Sequence, residues 1–501
     1  MAKYTGITVG PIIRTLNMAN STGELWGASY IFSYIVRKII ERIQEHNQII
    51  LPYYDKNTLN NIEGGLLPDR IIIKGEVKEI EKIVENVISE IIKEIEEGLR
   101  NVKIDYRAVK SYVQNYFQIY YKTIDLKEED NIILEMSKYL DVLELQQSYI
   151  PVENENYVSI HISNENTKKQ ILELKQNEED TILMKYKKEG KDIIRFPSVT
   201  EIAAMDILMK DKKRFQVGPS SEDYYNRLKK EINYEKIKKA HKYYAIVQAD
   251  GDSIGKIIKS LKKEDDYKKF SQCLFEFAKD SIDIIKKHHG LPIYAGGDDL
   301  LFIMPVIYEN RTVFDVIDEL SRNFENTLKK EFKESTATLS FGVSINYHRY
   351  PLYESLEVAR ELLFVNAKNY KDINEKEKNA VSFRFNKHSG KEFEKTFNKE
   401  SGTYRIFKDI LNAKLDTKVL TGVNTKIFRD EITIKEIIKK ENKLKNYFQN
   451  NFDEDVHKEN DYIKIVQNFI NTYASEHYET DMIKEIYSIL RFIKFIKEED
   501  S

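Results

Sequence analysis

Two acidic pairs carry the clearest chemistry in this chain. Asp250-Gly251-Asp252 ends the β-prone run Tyr243 to Ala249, and Gly296-Gly297-Asp298-Asp299 separates the apolar runs Leu291 to Ala295 and Leu300 to Met304. Glycines between two short β-prone runs mark a tight hairpin that needs positive backbone φ. Carboxylates gathered at one point raise each other's pKa values and cost folding energy unless cations offset them. Mg2+ or Mn2+ is the natural counter-charge, and carboxylate-held metals stabilise an attacking hydroxyl and a leaving pyrophosphate. The chemistry expected is nucleotidyl transfer. An isolated Asp-Asp after Gly-Gly is ordinarily a solvated turn; two acidic pairs at matched points of one sheet argue for a site.

Other residues are judged against that centre. Gly296 and Gly297 lack Cβ atoms and are expected to let a nucleotide approach the hairpin backbone. Gly251-Asp-Ser-Ile-Gly255-Lys256 is not a P-loop, because the spacing is one residue short and Ile257 replaces the required Ser or Thr. Lys256 nevertheless falls in the first turn of a helix, where backbone amides favour phosphate. Lys368, near the end of the amphipathic stretch Leu352 to Asn369, is a second candidate for a triphosphate; for either lysine alone a solvated charge is an equal expectation. His161, His288, His289 and His348 lack metal-ligand spacing.

The elements that must position these residues follow the order strand, helix, strand, hairpin, strand, helix, strand. Helical patterns are expected from Ile254, again over Tyr267 to His289, and over Val313 to Phe332; strands are expected over Ala337 to Ile345 and Ala380 to Phe385. An earlier copy begins with a strand over Ile7 to Ile13 and a helix over Leu25 to Gln44. It continues with strands near Ile49 to Tyr54 and Arg70 to Lys74, and helices over Val77 to Gly98 and Val109 to Ile124. The fold class is α+β, with two ferredoxin-like βαββαβ units and a charged helical tail from about Lys391.

Composition narrows the possibilities. The 501 residues suggest about three domains. Lys+Arg (79) and Asp+Glu (82) nearly cancel, so any nucleic-acid contact must be local. The single cysteine, Cys273, excludes an internal disulfide framework and a four-cysteine zinc site. No apolar run approaches a membrane span or a secretory leader, so a cytoplasmic protein with no membrane contact is expected.

Asp250-Gly-Asp-Ser-Ile-Gly-Lys256 followed by Tyr294-Ala-Gly-Gly-Asp-Asp-Leu-Leu301 resembles the second palm domain of the large polymerase-cyclase subunit of type III CRISPR effector complexes, in the Cmr (III-B) branch. More distantly it is similar to GGDEF diguanylate cyclases. Val9-Gly-Pro-Ile-Ile13 leading to Glu24-Leu-Trp-Gly-Ala-Ser-Tyr30, Leu67-Pro-Asp-Arg70 and Phe196-Pro-Ser-Val-Thr-Glu-Ile-Ala203 resemble further landmarks in the same order. The likeness divides the chain into a degenerate first palm (1–190), a helical connector (191–240), a catalytic palm (241–390) and a C-terminal helical domain (391–501). It implies that Asp250, Asp298 and Asp299 are catalytic, with Asp252 beside them as metal ligands. Gly251, Asp252, Ser253, Lys256, Gly296, Gly297 and Lys368 would bind nucleotide.

The implied activity converts ATP to cyclic oligoadenylate messengers when target RNA binds, with Mg2+ or Mn2+ and without zinc. Implied partners are the other Cmr subunits, guide RNA and target RNA. Transfer of AMP to S-adenosylmethionine at the same centre, a non-catalytic scaffold and a free-standing diguanylate-cyclase-like enzyme are the alternatives. Many relatives begin with an HD-type nuclease; the first unit here starts almost at Met1 without a His-Asp dipeptide, so DNA cleavage is not expected. The first unit has Gly10-Pro11 and Gly64-Gly65-Leu-Leu where the second has its carboxylates, and is read as a degenerate copy that completes the pocket.

Overall fold

In the computed structural model the described residues are 1–60, 64–99, 105–146, 156–163, 184–188, 191–210, 224–226, 228, 237–371, 377–413, 417–438, 440–452, 460–477 and 481–499. Residues 211–223, 227 and 229–236 of the expected helical connector (191–240) fall outside them.

The first unit forms a four-stranded antiparallel sheet from Ala2–Gly10, Gln48–Leu51, Arg70–Lys74 and Gln118–Leu126. Its strand order is second, third, first, fourth, as a βαββαβ unit requires. The helix expected over Val109 to Ile124 ends at Tyr116, and Gln118–Leu126 is instead the closing strand, paired along the whole of Ala2–Gly10. Its run Ile119-Tyr-Tyr-Lys-Thr-Ile124 is rich in β-branched and aromatic residues, which fit a pleated surface better than a helix. The helices Thr22–Ile43 and Ile80–Gly98 bury Ile35, Ile39, Ile91 and Ile95 against Ile7, Ile71 and Ile73. These apolar positions recur at helical spacing on one side and strand spacing on the other, so burial of both faces follows from sequence pattern.

The second unit repeats the topology in a larger sheet. Four of its strands, Leu291–Gly296, Asp299–Pro305, Tyr243–Asp252 and Thr338–Tyr347, keep the same order, and Ala380–Asn386 adds in parallel to Thr338–Tyr347. A sixth strand, Glu392–Asn398, pairs antiparallel to Ala380–Asn386 along its full length. The sequence placed these residues in the helical tail; as an edge strand exposing Glu392 and Glu394, the segment carries charge that disguises its strand character. Residues 191–195 of the expected helical connector likewise form a strand, paired with Met184–Lys188.

Tyr243–Asp252 lies at the centre, with both faces covered. Ala245, Val247 and Ala249 face a core shared with the helices Glu264–Lys287 and Val313–Glu331. Tyr244 and Ile246 face a second cluster that contains Trp26, Phe196, Ile202 and Leu356. The landmark segments around Trp26 and Phe196 therefore meet each other on the sheet of the second unit: their rings lie 5.1 Å apart, and Thr22 Oγ1 donates to the Pro197 carbonyl at 2.5 Å. The C-terminal helices continue the first of these cores, since Phe492 sits 5.1 Å from Phe383 and Phe407 sits 5.2 Å from Phe314. No described helix is long and apolar enough to cross a membrane.

Candidate active site

The acidic pairs converge because their strands do. Tyr243–Asp252 is hydrogen-bonded to Asp299–Pro305 on one side and to Thr338–Tyr347 on the other. This brings the end of the first strand beside the hairpin at Gly297-Asp298, where Gly296 pairs with Asp299. Gly297 has φ of +68°, which explains the glycine at the first turn position. Gly296 is required for a different reason, since a Cβ there would collide with the Tyr294 ring; the glycine accommodates a neighbouring side chain. Gly251 is similarly constrained, since a Cβ would lie 2.8 Å from Asp298 Cβ.

The carboxylates interact strongly. Desolvation, then the negative charge of Asp250, push Asp298 up to about 6, although the Gly251 backbone helps hold its charge. Desolvation, then the charges of Asp298 and Asp250, hold Asp299 well above the usual carboxylate range, with Asp250 within hydrogen-bonding reach. Asp69, from the first unit, adds a further negative charge near Asp299 and is itself raised by burial. The Tyr294 hydroxyl, desolvated and facing Asp299, is also pushed upward.

Asp252 has another environment. It is 1% exposed. One oxygen accepts from Ser340 Oγ at 2.7 Å, Thr338 Oγ1 at 3.0 Å and the Asn379 amide at 3.1 Å, and the other accepts from Lys368 Nζ at 2.9 Å. The expected supporting metal ligand is thus turned inward and occupied by protein donors. Lys368, expected to meet a triphosphate, reaches into the acidic centre. Its ammonium pairs with the Asp250 carboxylate and donates to the Asp250 and Gly251 carbonyls at 2.9 and 2.7 Å.

Backbone irregularity delivers that lysine. The Leu352–Glu361 helix continues as a π turn over Leu362–Ala367, and Lys368 N reaches back to Leu363 O at 2.9 Å. The turn rests on Gly342 of the Thr338–Tyr347 strand, where an added Cβ would lie 2.5 Å from Leu363 N. Lys256 is exposed in the first turn of Ile254–Ser260 and joins no carboxylate of the centre among the described residues. Ser253 precedes that helix with φ of +61° and makes no side-chain cap. His161 and His348 are buried, and burial lowers each to about 4; Cys273 is buried with its thiol pushed up to about 11.

Among the described residues, no group of three or more His, Cys, Asp or Glu side chains is arranged to hold a metal ion. The donor chemistry still fits Mg2+, which keeps several waters and takes one or two carboxylates plus substrate phosphates. Asp250 and Asp299 supply such a pair of hard oxygen donors, with Asp298 beside them.

The first unit supports the hairpin directly. Gly64-Gly65 does not form a matching tight turn, because 18 residues separate its second and third strands, Gln48–Leu51 and Arg70–Lys74. The loop instead reaches across, and Ala295 N donates to Gly65 O at 2.9 Å in a parallel bridge at Gly65 and Tyr294. Asp69, Tyr294, Ser340, Thr338 and Gly342 were not singled out as site residues in the sequence. Asp69 stood inside a recognised landmark, and Ser340 and Gly342 are ordinary small residues whose roles arise only through strand pairing.

Residues 243–382 match the family described as Cas10/Cmr2, second palm domain, and residues 4–102 match the family described as CRISPR-associated protein Cmr2, N-terminal. The chain is 30% identical over 225 residues to the CRISPR system Cmr subunit Cmr2 of Pyrococcus furiosus, covering 36% of this chain and 25% of that protein. The match thus spans about a quarter of that relative's length. Similar folds occur in a type III-B Cmr-beta structure in its apo state (TM-score 0.55, 12% identity, 87% of this chain and 75% of that one). The Cmr-beta structure bound to cognate target RNA gives a TM-score of 0.57 at 11% identity, covering 99% of this chain and 83% of that one. A Csm1-Csm4 cassette in complex with AMPPNP gives 0.52 at 14% identity, covering 98% and 70% respectively.

Proposed function

We propose, from the matches of residues 243–382 and 4–102 to Cas10/Cmr2 domain families, that the chain is a large subunit of this kind and that its Asp250, Asp298 and Asp299 centre performs metal-dependent nucleotidyl transfer on ATP, within a type III CRISPR effector complex. The 3′-hydroxyl of one nucleotide attacks the α-phosphate of the next; a new phosphodiester forms and pyrophosphate leaves, and ring closure by the same step gives cyclic oligoadenylates. The observation that carries the reading is the mutual elevation of Asp298 and Asp299 beside Asp250, a concentration of negative charge that a divalent cation would relieve.

A bound Mg2+ or Mn2+ supplies charge neutralisation for the phosphates and lowers the pKa of the attacking hydroxyl. The protein's own part is positional. Asp250 and Asp299 would hold the ion, Gly297 and Gly251 keep the hairpin and strand close, and Asp252 anchors Lys368 at the centre. Lys368 would exchange a carboxylate for a substrate phosphate, and the exposed Lys256 would offer a second cation. The partners proposed are the other complex subunits, guide RNA and target RNA, consistent with the target-RNA-bound relative of similar fold. AMP transfer to S-adenosylmethionine would use the same centre with a different acceptor.

Mass spectrometry of products from the reconstituted complex, given each NTP with and without S-adenosylmethionine and with and without target RNA, tests the reading. A target-RNA-dependent product lost in Asp298→Ala/Asp299→Ala is expected; no product under any condition would sink it. A scaffold role is the second reading, favoured by one observation: Lys368 already neutralises part of the acidic centre.

A further inference from the structure

A second cavity, of about 590 Å3, lies where the catalytic sheet meets the helical tail. It opens between residues 387–391, which join Ala380–Asn386 to Glu392–Asn398, and the helices Thr417–Arg429 and Met482–Lys497. Its lining is strongly cationic. Lys387, Arg491 and Lys494 have no carboxylate partner among the described residues, and Glu498, the one carboxylate in the lining, is 3.0 Å from Lys239. Lys387 and Arg491 are fixed over aromatic rings, 5.8 Å from Phe385 and 5.5 Å from Tyr487 respectively.

We propose that this cavity binds the phosphate chain of a small nucleotide-class ligand, separately from the catalytic centre. Lys387, Arg491 and Lys494 line one cavity whose single carboxylate, Glu498, is already engaged by Lys239, which leaves a net positive lining that an anion would complete. Burial, then the charges of Arg491 and Lys391, hold the Lys387 ammonium below its ordinary range despite the opposing charge of Glu498. The volume is that of a small-ligand site, whereas a polynucleotide backbone is ordinarily tracked by an open groove. Asn424, Thr421 and Thr425 add polar groups on the helical side, and the Tyr243 and Tyr487 rings supply apolar walls. A ligand here would tie the last strands of the catalytic sheet to the tail.

The test is calorimetric titration of the full-length chain in EDTA at fixed ionic strength with inorganic pyrophosphate, ATP, adenosine and a short single-stranded RNA. Pyrophosphate and ATP should bind and adenosine should not; equal affinities identify the phosphate chain alone as the ligand, and tighter ATP binding adds a base contact. Each lost cation should weaken binding roughly tenfold, so Lys387→Gln/Arg491→Gln should weaken it roughly a hundredfold. Asp298→Asn/Asp299→Asn should leave this binding intact, which separates it from the catalytic reading. Unchanged affinity in a folded Lys387→Gln/Arg491→Gln chain, or binding of RNA but of neither small anion, overturns the proposal. If that variant unfolds, Lys494→Gln decides: a roughly tenfold loss supports the site, and no change refutes it.

Discussion

The charge state of Asp298 makes a prediction with an unusual sign. Its carboxyl moves from an ordinary 3.8 to about 6 in the folded chain. At about 1.4 kcal/mol per tenfold change in acidity, that corresponds to roughly 3 kcal/mol of destabilisation in the metal-free protein above pH 6. Partial solvent exposure reduces this to about 1–1.5 kcal/mol. A raised carboxylate pKa means that the folded state binds the proton more tightly, so the penalty is complete above about pH 6 and fades as pH falls toward 3.8. Asp298→Asn removes the charge and keeps an oxygen for the Gly251 amide. In EDTA at pH 7.5, its Tm should therefore rise by roughly 1–3 °C. Added Mg2+ or Mn2+ should stabilise the native chain and have a much smaller effect on the variant. Differential scanning fluorimetry with and without metal reads both effects. A lower Tm for Asp298→Asn in EDTA, or an equal metal response in the two proteins, would refute the argument.

Lys368→Met should act in the opposite direction, lowering the metal-free Tm because Asp250 and Asp252 lose their internal cation; thermal scans in EDTA check it, and a stabilised variant would contradict the ion-pair geometry. Gly342→Ala should cost roughly 1–3 kcal/mol by forcing the π turn off the sheet, and should reduce product formation by displacing Lys368. Denaturant unfolding and turnover of the assembled complex measure the two losses, and a variant with native stability would show that the turn does not rest on this strand.

The second ferredoxin-like unit was legible because each of its strands is a short apolar run bounded by glycine or charge, as at Leu291 to Ala295 before Gly296-Gly297. The acidic centre was legible for a related reason: strand order brings Asp250 to Asp298 whatever the side-chain details. The closing strand Gln118–Leu126 reads as helix because Tyr120, Tyr121 and Ile124 continue the helical spacing of Val109, Tyr112, Val113 and Tyr116. Glu392–Asn398 was hidden by its edge position, where exposed charges replace the apolar signal. The inward orientation of Asp252 could not be read from Asp-Gly-Asp, since its partners Thr338, Ser340 and Asn379 come from distant chain segments. In the sequence Lys368 is one of two candidate phosphate cations with a solvated charge equally expected, and its engagement by the carboxylates depends on the π turn, which no residue pattern announces.

That π turn also sets a rule for how this unit can diverge. A π turn holds one more residue than the α-helical turn it replaces, so deleting any single residue between Leu362 and Ala367 would regularise the helix and rotate the following position by about 100°. Amino-acid exchange within the segment is comparatively free so long as Leu362, Leu363 and Ala367 stay buried, whereas its residue count is fixed by the need to aim Lys368 at Asp250. Among divergent descendants of this sequence, length in this helix should be kept more strictly than composition.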